Sequence, residues 1–200
     1  MTLPISVSNL RFGVRQVPMR LPFRFGAVTL TAAAQIHLFA DVETRNGHRA
    51  QGVAADMLAP KWFDKDPSKT YADNMNDLID SAKAACSAVE AVHEPASAFD
   101  LWKLGYDAAL AWGESRGLNE LTSAYGSTLL ERAIIDGLGR AEGLSYFDML
   151  RDNHLGIDLG TLHTQLTGVS PADLLPAKPR ATMQVRHTVG LLDPLREDSI

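Results

Sequence analysis

The chain has 200 residues, 46% of them apolar and 22% charged, with 19 basic against 24 acidic residues and a net charge of −5. This is the composition of a soluble globular protein with enough apolar mass for one core, and its length suits one domain or one domain plus a fragment. No basic cluster supports nucleic-acid binding, no stretch approaches the ~18 apolar residues of a membrane span, MTLPISVSNLRFG is not a secretory signal, and the single cysteine, Cys86, excludes an intrachain disulfide and suits a reducing cytoplasm.

The spacing predicts a first strand over Ile5 to Val17, where Leu10, Phe12 and Val14 alternate with Arg11, Gly13 and Arg15. Pro18 and Pro22 then predict a loop, Met19 to Gly26. In a second strand Ile36, Leu38, Ala40 and Val42 share one face, and His37, Phe39, Asp41 and Glu43 share the other. Asn46-Gly47 marks a hairpin turn, because both residues tolerate positive φ. A third strand, about Arg49 to Ala55, completes an antiparallel meander.

Asp66-Pro67 reads as the start of a helix, Asp as N-cap and Pro at the first helical position. Tyr71, Met75, Leu78, Ala82, Cys86 and Val89 form its apolar stripe. A thiol on such a stripe reads as structural rather than reactive. A second helix covers Ser97 to Arg116, with Phe99, Trp102, Tyr106, Ala109 and Trp112, and Gly117 ends it. In the third helix Thr128 and Glu131 suit a capping box, Leu130, Ile134, Leu138 and Ala141 an inner stripe, and Arg132, Asp136 and Arg140 ion pairs at i,i+4. Gly143 suits its C-terminal cap. A short helix, Tyr146 to Asp152, precedes a Gly-, Thr-, Ser- and Pro-rich stretch from His154 to Pro179, which reads as a linker. Met183 to Val189 reads as a strand. Strands followed by helices indicate α+β.

Most catalytic patterns fail. GLGRAEG, from Gly137 to Gly143, lies inside a helix with its third glycine misplaced for a dinucleotide fingerprint. There is no Walker loop, no G-x-S-x-G and no H-E-x-x-H. Asp152, His154, Asp158 and His163 are the only local group resembling metal ligands, and their spacing fits no established site. Asp41 and Glu43 are explained by a polar outer sheet face, and Glu131 and Asp136 by capping and ion pairing.

Four segments in order resemble the enolase superfamily, the mandelate-racemase- and muconate-lactonizing-enzyme-like proteins. FRFG, Phe23 to Gly26, resembles that family's first hairpin and specificity loop. NGHRAQGVA, Asn46 to Ala54, resembles the hairpin leading to its second specificity loop, here Ala55 to Trp62. SAYGSTLLERAIIDGLGRAEGLSYFDML, Ser123 to Leu150, is the most specific of the four and resembles the helices that close the N-terminal capping domain. RHTVGL, Arg186 to Leu191, resembles the first strand of the catalytic barrel. MLRDNHLG, Met149 to Gly156, departs from the family's leucine-leucine-glycine-glycine turn.

The resemblance implies a capping domain over residues 1–153, a linker over 154–180 and the start of a truncated (β/α) barrel over 181–200. It implies an isomerase or lyase chemistry in which a base removes the proton α to a carboxylate and Mg²⁺ stabilises the enediolate. The catalytic bases and metal carboxylates of the family stand on barrel strands beyond Ile200. A barrel needs about 200 to 250 residues, so the chain alone is expected to be inactive, with no catalytic or metal residue. What it would supply is substrate contact, through Phe23, Arg24, Phe25 and Gly26 of the first loop and Asp56, Met57 and Leu58 of the second. The implied partners are a small carboxylate substrate, the barrel domain of the same protein and further copies in a homo-oligomer. His187 reads as a packing residue of the barrel strand. Two other readings stay open: a non-catalytic binding or assembly module that reuses the fold, and a small enzyme built on the Asp152 to His163 region.

Overall fold

A computed structural model of the chain describes residues 1–25, 28–186 and 196. The structure is α+β. Strands β1 (Ile5–Phe25), β2 (Val28–Thr44) and β3 (Arg49–Leu58) form one antiparallel sheet in the order β1-β2-β3. Helices α1 (Tyr71–Glu90), α2 (Ala98–Ser115), α3 (Glu120–Glu142) and α4 (Tyr146–Arg151) follow. Alternation places the sheet's core face as expected: Ile36, Leu38, Ala40 and Val42 are buried beneath the helices. Leu78, Ala82, Cys86 and Val89 of α1 and Leu130, Ile134 and Leu138 of α3 complete the same core.

The segment Met19 to Phe25 is strand rather than loop. Phe23, Arg24 and Phe25 pair with Leu30, Thr29 and Val28, and the register shifts between Pro18 and Phe23. Proline is tolerated here because β1 is an edge strand, where a missing N–H need not break a ladder. A second shift, between Ser8 and Arg11, coincides with Asn9 at φ +53°, a bulge that asparagine accommodates. β3 also runs further than expected, because Ala55 to Leu58 continue the ladder opposite His37 to Ala34.

The helix starts were misplaced by local signals. α1 begins at Tyr71, capped by Thr70, whose side chain and that of Asp73 form a capping box. Asp66 instead closes a turn, accepting from the amide and hydroxyl of Ser68. α3 begins at Glu120 under Asn119, whose Oδ1 accepts from the Thr122 amide at 2.9 Å. Thr128 therefore lies mid-helix and donates to the Tyr125 carbonyl. Gly143 does end α3, in the left-handed region at φ +66°. On α2 the buried line is Leu101, Gly105, Ala109 and Gly113; Phe99, Trp102 and Tyr106 stack beside one another on its flank.

Small residues let α3 sit directly on its neighbours. A Cβ at Gly52 of β3 would overlap the Ala133 carbonyl and the Gly137 backbone, and one at Gly126 would overlap the backbone of Ala82 in α1. These close approaches put α3 against β3, α1 and α2 at once.

The stretch read as a linker is partly anchored. The Leu3 amide donates to the His154 carbonyl at 3.0 Å, the Phe99 amide donates to the Leu155 carbonyl at 3.0 Å, and Leu155 is buried. Two 3₁₀ turns, Leu159–Thr161 and Thr164–Leu166, and a last helical turn, α5 (Pro171–Leu174), follow. Arg151 donates to the Leu175 and Pro176 carbonyls and ties α5 to α4. Among the described residues of the last expected strand, 183–186, no strand forms, and Met183 and Val185 are 89% and 95% exposed. The rest of the expected strand, His187 included, lies outside the described residues.

Candidate functional site

The strand register decides where the two expected contact loops stand. β3 ends at Leu58 opposite Ala34, whereas the β1–β2 ladder continues to Phe25 and Val28. The hairpin therefore projects past β3. Both segments lie toward the same end of β2. Thr29, opposite Arg24, and Gln35, opposite Met57, are six residues apart, or about 20 Å along the strand.

The hairpin is cationic, with Arg20 and Arg24 on the projecting part and Arg11 and Arg15 on the part that β3 flanks. Residues 1–40 hold four arginines and no acidic residue. Arg11, Arg15 and Arg24 pair with Phe39, Gln35 and Thr29, which alternation places opposite the core face. Arg11 lies over the Phe39 ring, 5.6 Å from its centroid. None of the ion pairs among the described residues uses Arg15, Arg20 or Arg24. Phe23 is 54% exposed beside them. Gly26 lies outside the described residues.

The second segment divides. Asp56 accepts from Arg132 at 2.7 Å and from the Met57 amide at 2.8 Å, while Arg132 also reaches the Ala55 carbonyl. Arg132 thus leaves the expected trio with Asp136 and Arg140 and tethers the end of β3 to α3. Asp136 keeps Arg140 at 2.8 Å and also accepts from the Val53 amide at 2.9 Å. Met57 points to the outer face. The Leu58 side chain is completely buried, and its carbonyl accepts from the Tyr71 hydroxyl. Burial at the strand end makes it an anchor. Past it, Pro60–Trp62 forms a 3₁₀ turn that leaves Trp62 exposed.

Several titratable groups elsewhere are engaged structurally. Asp41 accepts from Asn9 and Gln51, and these bonds hold its carboxyl below the usual range. Burial pushes the Cys86 thiol up to about 12, the state of an inert core thiol. His154 Nδ1 meets the Met1 carbonyl at 2.8 Å, and Asp158 caps the turn at Gly160. Among the described residues no three His, Cys, Asp or Glu side chains converge as metal ligands, so the residues present do not fit a bound Mg²⁺. No helix among them is long and apolar enough to cross a membrane.

Sequence reasoning dismissed one residue that the fold sets apart. Glu131 lines a recess between α2, α3 and α4, and burial raises its carboxyl above the usual range. Its spacing to Arg132 and Asp136 carried no sign of this, since α2 and α4 supply the walls.

The architecture is that of an α+β domain, a three-stranded antiparallel sheet backed by helices. Solved structures of enolase-superfamily proteins match it over about 70% of this chain. One is an enolase from Bradyrhizobium complexed with magnesium and mandelic acid, at 16% identity and a TM-score of 0.44, covering 72% of this chain and 34% of that one. Another is the L-talarate dehydratase from a Polaromonas species, complexed with Mg and L-glucarate, at 20% identity and 0.41, covering 74% and 35%. A mandelate racemase/muconate lactonizing enzyme from Polaromonas matches at 21% identity and 0.41, covering 75% and 33%. The chain thus spans about a third of the length of the structures it matches. Neither a protein-family model nor a curated protein matches the sequence.

Proposed function

We propose that this chain is the capping portion of a Mg²⁺-dependent enolase-superfamily isomerase or lyase, and that it selects substrate without itself performing the chemistry. The observation that carries the reading is the hairpin end that projects past β3 with Arg20 and Arg24, at the sheet end where Asp56 and Met57 also stand. Its cationic, partly apolar surface suits a small carboxylate. Arg24 would hold an anionic group by charge-assisted hydrogen bonds, and Phe23, Phe25 and Met57 would supply apolar wall. Asp56, tied to Arg132, would orient the second wall from the body of the domain, and Leu58 would anchor it. The order of elements and the Ser123 to Leu150 segment support the family.

Magnesium in this reading belongs to a barrel domain, where it would stabilise the enediolate left when a base takes the α-proton. This chain would shield that site from water and shape its mouth.

The test is proton exchange. The purified chain, alone and together with the polypeptide encoded immediately downstream, is incubated with Mg²⁺ and a panel of 2-hydroxy acids in D₂O, and α-deuteration is read by NMR. Exchange is expected only when both are present, with an Arg24→Ala change altering which acids exchange. Exchange by the chain alone, or a substrate range indifferent to Arg24→Ala, overturns the reading.

A further inference from the structure

A second recess lies on the helical side of the molecule, in the body rather than on the hairpin. α2, α3, α4 and the segment 155–162 line an open-mouthed cavity of about 230 Å³. Its walls are apolar and aromatic: Phe99 and Trp102 from α2, Ile135 from α3, Tyr146 and Leu150 from α4, Leu162 from beyond. Glu131 is the one carboxylate among them. No hydrogen bond or ion pair within the described residues satisfies it; the charge of neighbouring Arg132 favours its ionised form, but the Arg132 hydrogen bonds go to Asp56 and to backbone carbonyls. Glu131, Ile135 and Tyr146 also line an adjoining groove of about 580 Å³ along α3, where Arg140 is committed to Asp136.

A half-buried carboxylate without a partner in an apolar recess is costly, and the fold keeps it beside two large aromatic rings. The guanidiniums of the groove have their counterions, so what the recess lacks is a cation. An ammonium ion with an apolar body meets both demands: its charge neutralises the carboxylate, and the aromatic faces attract it. A bare metal ion does not fit, since one carboxylate among aromatic walls offers too few oxygens. A second carboxylate is repelled.

We propose that this cavity binds a small organic ammonium ion, with Glu131 holding the charge and Trp102 and Tyr146 flanking the apolar body. Such a site is separate from the hairpin, and it stands or falls independently of the reading of the chain as a capping domain.

The test uses the full chain and benzyltrimethylammonium chloride, titrated at constant ionic strength while the Trp102 indole N–H is followed by NMR. Its uncharged carbon isostere, neopentylbenzene, and N-acetylarginine amide are titrated in parallel. Saturable shifts at Trp102 and around Glu131 are expected. Glu131→Gln, an isosteric change that removes only the charge, is expected to weaken binding about tenfold, as is replacing the ligand by its isostere. Trp102→Leu, checked for native circular dichroism, is the second variant and is expected to weaken the cation too. No saturable shift, shifts centred elsewhere, or equal affinity in Glu131→Gln overturns the proposal. So does binding of N-acetylarginine amide but not of the quaternary ammonium, which reassigns the recess to a basic side chain of a protein partner.

Discussion

The seam between β3 and α3 and the outer half of the β1–β2 hairpin are built on opposite terms. At the seam, backbone meets backbone: Gly52 lies against Ala133 and Gly137, Val53 donates to Asp136, and Arg132 crosses to Asp56. Beyond Leu58 no third strand among the described residues lies beside the hairpin, which there carries exposed Phe23 with Arg20 and Arg24. One region is specified by what it touches, the other by what it leaves available. Residues at the open end of the hairpin can change with little cost to packing, whereas those of the seam cannot.

The sharpest way to break the comparison is at the seam. Gly52→Ala places a methyl group into backbone that cannot retreat, and is expected to cost about 3 kcal/mol; the urea midpoint should fall with the m-value unchanged. A cost below about 0.5 kcal/mol would show that the seam is looser than its geometry. Next, Ile134→Ala empties a fully buried position of α3, with an expected loss of about 2 to 4 kcal/mol, the lower end if the neighbours close in.

A smaller effect of opposite sign is expected at Glu131. Burial raises its carboxyl in the folded state, so the folded chain holds this proton to higher pH than the unfolded chain does. Between the unfolded value, about 4.3, and the raised folded one, stability falls as pH rises, because the native state binds more protons. Glu131→Gln removes that penalty. Its melting temperature should therefore exceed the parent's at pH 7 and approach it near pH 3; a lower value at pH 7 would mean that the carboxylate has a stabilising partner. The smallest effect belongs to the hairpin. Arg24→Ala should leave stability within about 0.5 kcal/mol, measured by the same urea titration, and a larger loss would place Arg24 in the frame rather than on the open end of the hairpin.

Much of the frame was legible because it rests on periodicity. The alternation of Ile36, Leu38, Ala40 and Val42 and the helical spacing of Leu130, Ile134 and Leu138 report which side meets the core, whatever that core is. Element ends were less legible. Asp66-Pro67 and Thr128–Glu131 have capping chemistry, yet the caps formed at Thr70 and Asn119, since a competing turn at Asp66 and the preceding turns of α3 were equally compatible with local rules. Pro18 and Pro22 suggested a loop because the sequence does not say that β1 is an edge. On α2 close helix packing selected the small residues Gly105, Ala109 and Gly113 for the buried line, beside Leu101.

The sequence by itself determined the α+β order, the buried faces of β2 and α3, the Gly143 cap and the burial of Cys86, because each follows from side-chain chemistry over a few neighbouring residues. Only the tertiary structure decided that the hairpin outruns β3, that Arg132 serves Asp56, and that Glu131 lines an aromatic recess with no hydrogen-bond or ion-pair partner among the described residues. Those facts depend on residues tens of positions apart being brought together, and local spacing carries no record of which distant wall will arrive.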